Sequence, residues 1–68
     1  MKKRIQFDLT QPMVYTLDQL VEQTGATTRS EVIRRAIDIY RRLLDERLKG
    51  SVLVFVDKNG QQRQVEFI

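Results

Sequence analysis

Ile5, Phe7 and Leu9 alternate with Arg4, Gln6 and Asp8 near the start of the chain. A period of two sends successive side chains to opposite faces, so Arg4–Thr10 is predicted as a half-buried strand with a polar outer face. From Gln11 the period lengthens. Met13, Leu17, Leu20 and Val21 share one face of a helix predicted from about Gln11 to Thr24. Thr10 caps this helix, Pro12 is tolerated in its first turn, and Gly25 stops it. A longer helix is predicted from about Arg29 to Leu48, entered through Thr28 and Glu31 at capping-box spacing and closed by Gly50. Ile33, Ile37, Tyr40 and Leu44 form one apolar stripe on it, and Val32, Ala36, Ile39 and Leu43 form a second beside the first. The combined face is wider than one short neighbouring helix covers. It calls for two surfaces, such as the first helix and a partner chain.

After Gly50 the pattern changes again. Val52–Val56 is a continuous apolar run rich in β-branched residues, Asn59-Gly60 follows, and Val65, Phe67 and Ile68 close the sequence. Asn-Gly between two such runs predicts a C-terminal β-hairpin. A two-residue turn at Asn59-Gly60 places Val54 opposite Val65, whereas a longer loop places Leu53 there and exchanges the apolar face. The first strand stands apart, because a lone strand leaves its backbone groups unpaired. It can join the hairpin within the chain, or pair with its own copy from a second chain across a two-fold axis. The second arrangement also buries the excess apolar face of the long helix. It would place Arg4, Gln6 and Asp8 from two chains on one exposed ribbon, a shape that fits the DNA major groove.

Composition narrows this picture. With 68 residues, one small core is all the chain can build. Small proteins resolve so thin a core with disulfides, metals or oligomerisation. There is no Cys and no His, which leaves oligomerisation and is compatible with a reducing compartment. The net charge is +3, and residues 1–50 hold ten Lys/Arg against seven Asp/Glu while residues 51–68 hold two of each. The basic excess therefore lies ahead of the hairpin, where it favours a polyanionic partner. The start, MKKRIQF, is basic but precedes no long apolar run, so neither a signal peptide nor a membrane span is expected.

Enzyme chemistry finds little footing. Without His or Cys the commonest general base and the strongest nucleophile are missing. The carboxylates are spread over charged helix faces, and no Gly-rich phosphate loop is present. No catalytic residue, metal site or cofactor is expected. Arg34, Arg35, Arg41 and Arg42 read as a solvated helix face, with Arg34–Asp38 and Arg42–Glu46 spaced for weak i,i+4 pairs.

The order strand–helix–helix, the alternation in RIQFDLT, the Thr-Gln-Pro helix entry and the stretch TGATTRSEVIRRAIDIY resemble the ribbon-helix-helix DNA-binding proteins, the MetJ, Arc and CopG class. The resemblance covers about residues 2–48, and RSEVIRRAI after a Gly-containing turn is its most specific part. It implies a mainly α fold with short β: an intertwined homodimer with an intermolecular antiparallel ribbon, here extended by the C-terminal β-hairpin. Residues 1–50 would be the DNA-binding and dimerisation domain, and 51–68 the extension. The resemblance places Arg4, Gln6 and Asp8 at the outward positions that read bases. Arg suits guanine and Gln suits adenine. Asp8 is less comfortable beside phosphate, but it can accept from cytosine N4, orient an Arg or sit at the ribbon's edge.

The same resemblance puts phosphate contacts at Thr28, Arg29 and Ser30, where helix-start N–H groups and the helix dipole favour an anion. Lys2 and Lys3 would follow the DNA backbone from an arm. Ile5, Phe7, Leu9, Ile33, Ile37 and Tyr40 would form the dimer core. The implied function is a cytoplasmic, sequence-specific transcriptional regulator of the bacterial, phage or plasmid type. It would bind double-stranded DNA as a homodimer, often as dimers side by side, and usually as a repressor. The alternative is a protein-interaction module or antitoxin whose C-terminal hairpin binds a partner protein.

Overall fold

The computed structural model describes residues 3–6 and 8–68. Lys2 and Phe7, expected at phosphate and in the dimer core, lie outside the described residues. The elements are helix α1 (Gln11–Thr24), helix α2 (Arg29–Leu48), strand β1 (Leu53–Val56) and strand β2 (Gln62–Val65). Both helices have the bounds that the periodicity predicts. Backbone contacts divide the chain into two compact units, residues 1–35 and 36–68.

In the first unit the ends of α1 are set by local chemistry. Thr10 is extended, its Oγ1 accepts from the Met13 N–H at 3.4 Å, and its carbonyl accepts from Val14 at 3.0 Å. Gly25 ends the helix at φ 71°, a left-handed conformation that glycine adopts without a Cβ penalty, and donates to the Glu22 carbonyl at 3.4 Å. Leu17 and Val21 of the predicted α1 face are half-buried, as are Val14 and Ile33, but Met13 and Leu20 are exposed. Val32 is the only buried hydrophobic among the described residues. The described residues of a single chain therefore build almost no dry core.

Residues 3–6 and 8–10 belong to neither helix nor ladder. The described residues of Arg4–Thr10 do not form the expected strand in the single chain. A strand is stabilised by its neighbour, and among the described residues the one sheet contains only β1 and β2.

In the second unit, α2 closes with paired reverse bonds. The Gly50 N–H donates to Arg47 O at 3.0 Å and the Ser51 N–H to Glu46 O at 3.0 Å, capping two carbonyls of the last turn. β1 and β2 then pair antiparallel with Leu53 opposite Val65 and Val56 opposite Gln62. Of the two possible registers this is the longer loop, Lys58-Asn59-Gly60. Asp57 donates its N–H to Gln61 O at 2.9 Å, Gly60 donates to Asp57 O at 3.0 Å, and Asp57 Oδ1 accepts from the N–H groups of Asn59 (2.8 Å) and Gln61 (2.9 Å). That carboxylate captures two loop amides and selects the loop length. Leu53, Phe55, Arg63 and Val65 consequently share one face, with the Arg63 guanidinium 5.7 Å from the Phe55 ring centroid. Beyond β2, the Phe67 ring meets Tyr40 of α2 edge-on at 6.1 Å, and Arg47 lies 3.9 Å from Glu66.

Gly60 sits at φ 82° with open space where a Cβ would stand. Gly60→Ala therefore introduces backbone strain without a clash, about 1–2 kcal/mol. The expected readout is roughly 5- to 30-fold faster amide exchange at Phe55, which pairs with Arg63, with the helix amides unchanged.

The solvated face of α2 carries different ion pairs from those expected. Arg35 binds Glu31 at 2.6 Å, Arg42 binds Asp38 at 3.1 Å and Arg41 binds Asp45 at 2.8 Å. Arg34–Asp38 and Arg42–Glu46 are not among the pairs of the described residues. Asp38 takes the arginine on its C-terminal side, the favoured order along a helix. Glu46 is held instead by the Ser51 hydroxyl at 3.1 Å and by Lys49 at 3.6 Å. These pairs are solvent-accessible, with only Glu31 half-buried, and screening by water keeps surface pairs of this kind weak.

Candidate nucleic-acid interface

Two groups of predicted site residues lie in the first unit. Lys3, Arg4, Gln6 and Asp8 are all exposed on the segment that precedes α1. Ile5, between Arg4 and Gln6, is 77% exposed, whereas Leu9 is half-buried.

The second group is the start of α2. Thr28 Oγ1 accepts from the Glu31 N–H at 3.1 Å, so one half of the predicted capping box is formed. The other half is displaced by one residue. Glu31 Oε2 accepts from the Thr27 N–H at 2.9 Å and from the Thr27 hydroxyl at 3.0 Å, rather than from Thr28. Thr27 offers two donors to one oxygen, and Arg35 binds the other oxygen at 2.6 Å. The N–H groups of Arg29 and Ser30 are too near the helix start to find a carbonyl within it. Among the described residues no side chain accepts from them. Together with the exposed hydroxyls of Thr28 and Ser30, they form a donor-rich corner.

Arg29 at this corner has a partner that sequence reasoning did not identify. Its Nε and Nη2 donate to Asp18 Oδ1 and Oδ2 of α1 at 2.7 and 2.9 Å, a two-pronged guanidinium–carboxylate pair. The hydrogen bonds lower the Asp18 pKa below the ordinary aspartate value and raise that of Arg29. Two of the five guanidinium N–H groups are engaged. Nothing periodic links positions eleven residues apart. The available signal was one of two acids on α1, Asp18 or Glu22, and a base at the start of α2.

The Glu31 carboxyl is held below the ordinary glutamate pKa, chiefly by the Thr27 N–H, then by its hydroxyl, with Arg35 and Arg34 adding to these against a burial effect of opposite sign. A depressed native pKa means that the unfolded chain binds the proton more readily. The support this carboxylate lends to the α2 entry is complete above the unfolded pKa, and is lost as pH falls through the native one. Acid titration is expected to loosen residues 27–31 first, seen as faster amide exchange. In Glu31→Gln that acid-dependent step should be absent.

Among the described residues there is no cluster of three or more potential metal-ligating side chains, and no helix is long and apolar enough to cross a membrane. The family model described as ribbon-helix-helix protein, copG family, matches residues 3–49. The chain belongs to the ribbon-helix-helix family. The match takes in the segment ahead of α1, both helices and the donor-rich start of α2, and stops before β1. Ribbon-helix-helix proteins are in general DNA-binding transcription regulators, usually dimeric on DNA, and generally not enzymes. No curated protein and no solved structure matches the chain.

Proposed function

We propose that this ribbon-helix-helix protein is a homodimeric, sequence-specific transcriptional regulator, a repressor, that reads the major groove with paired copies of Arg4–Thr10. The observation that carries this reading is the unpaired segment ahead of α1. It lies within the family match and alternates polar with apolar residues, yet it has no strand partner in its own chain among the described residues. A second copy across a two-fold axis completes both ladders and turns Arg4, Gln6 and Asp8 outward together. Arg4 pairs with guanine O6 and N7, Gln6 with adenine N6 and N7, and Asp8 sits where it accepts from cytosine or steers Arg4.

Ile5, Phe7 and Leu9 face inward under the ribbon, and Ile33, Ile37 and Tyr40 complete the dimer core. Ile37 and Tyr40 are 64% and 52% exposed in one chain, which supports a covering partner. Thr28, Arg29 and Ser30 grip phosphate with the first-turn amides, and Lys2 and Lys3 follow the backbone. Asp18 keeps the Arg29 guanidinium at that corner. The protein works in the cytoplasm on a partly palindromic operator, with dimers side by side on longer sites.

Selection of bound sequences from random duplex DNA, with the mass of the free protein measured in parallel, tests this reading. Enrichment of a two-fold related site by a dimer is expected. Affinity should fall steeply with salt, with a log–log slope of about −0.9 per phosphate neutralised. A monomer that enriches no sequence would sink the proposal.

A further inference from the structure

The sheet outside the family match has one edge that is built unlike the other. β2 and its flank carry Gln62, Arg63, Gln64 and Glu66, polar and charged residues of the kind that blunt an edge strand. β1 lies in Ser51–Val56, which has no charge and no proline. Because Asp57 and Gln61 exchange a backbone bond at the loop, the alternation of an antiparallel ladder makes Phe55–Arg63 and Leu53–Val65 the hydrogen-bonded pairs. Val54 and Val56 therefore turn their N–H and C=O groups outward, away from β2. Among the described residues nothing bonds to them. Val52, Val54 and Val56 are 52%, 37% and 61% exposed.

We propose that this edge pairs antiparallel with β1 of a second copy of the chain, centred on Val54. The order Val52-Leu53-Val54-Phe55-Val56 reads almost the same in both directions. Centred on Val54, the two-fold pairing sets Val54 opposite Val54, Val52 opposite Val56 and Leu53 opposite Phe55. Every cross-strand pair is then apolar, and the outward groups of Val52, Val54 and Val56 meet outward groups of the partner strand. Six valines from two chains come to lie on one face. Centring on Phe55 instead sets Leu53 against Asp57 and Val52 against Lys58, so charge disfavours that register. A partner of different sequence has no such match written into the chain, whereas a second copy does. The occupant is therefore another molecule of this protein. The pairing rests on the sheet alone and does not require the DNA reading. Combined with that reading, it gives the chain two self-complementary edges, one at the start of the sequence and one near its end.

The test uses the full chain and no DNA. Amide exchange is measured at Val54, Phe55 and Val56, and single-cysteine variants Val54→Cys and Gln64→Cys are oxidised side by side. The protein has no other cysteine, so any disulfide joins two chains. Pairing predicts protection of Val54 and Val56 comparable to that of Phe55, and a disulfide that forms at least tenfold faster at Val54→Cys than at Gln64→Cys. Val54→Lys sets like charges opposite one another, and should abolish protection at Val56 while leaving it at Phe55. Fast exchange at Val54 and Val56 in the unmodified protein would overturn the proposal. So would equal cross-linking of the two cysteine variants.

Discussion

Arg4→Ala is expected to flatten base preference at the position Arg4 reads while leaving the protein as stable as before. A bidentate arginine–guanine contact discriminates against a wrong base by about 1–3 kcal/mol. A two-fold site contains that contact twice, so operator affinity should drop by roughly double that amount, while affinity for random DNA changes little. The melting temperature should not move, because Arg4 is exposed and makes no ion pair among those of the described residues. Lys3→Ala supplies the contrast. Loss of a phosphate contact weakens all sequences alike and reduces the salt slope by about one. Binding measured against operator, single-base variants and random duplex separates the two behaviours. If Arg4→Ala and Gln6→Ala together leave operator discrimination intact, the ribbon is not the reader.

The second large effect is expected at Ile37. In one chain this side chain is 64% exposed, and truncating a residue on a solvated helix face usually changes stability by less than about 0.5 kcal/mol. In a dimer core the same truncation costs about 2–5 kcal/mol for each chain. Ile37→Ala is expected to show the larger loss. Because Val32 is the only buried hydrophobic among the described residues of the single chain, dissociation and unfolding should coincide. The melting temperature should rise with protein concentration, as it does wherever folding and association are linked. Thermal unfolding at two concentrations, followed by circular dichroism, distinguishes the cases. A concentration-independent transition with a shift under 0.5 kcal/mol would place Ile37 on a free surface.

The helices were legible because what defines them is local. Thr10, Pro12 and Gly25 act within one turn of the residues they cap, and the apolar spacing of α1 and α2 repeats every three or four positions. The donor-rich start of α2 was also legible, since a helix start exposes its first amides whatever the tertiary fold. The partners of the charged groups were less so. Spacing matched Asp38 to Arg34 and Arg42 to Glu46, whereas the folded helix pairs Arg42 with Asp38. Glu31 was matched to Thr28 by the capping-box spacing. Its N–H does bond Thr28 Oγ1, but its carboxylate bonds Thr27, where two donors converge on one oxygen.

The sequence by itself determined two capped helices with their bounds, the family through residues 3–49, the placement of positive charge ahead of the sheet, and an apolar excess that one chain does not cover. Each of these follows from composition or from contacts within a few positions of the chain. The tertiary structure decided the rest. It set the sheet register at Leu53–Val65, because the Asp57 carboxylate and a left-handed Gly60 close a three-residue loop rather than a two-residue one. It joined Arg29 at the start of α2 to Asp18 of α1, eleven residues apart and beyond the reach of any local spacing rule. It also left Arg4–Thr10 without a ladder among its described residues. Alternation can specify which side of a strand is apolar, but the backbone bonds of that strand must come from a neighbour.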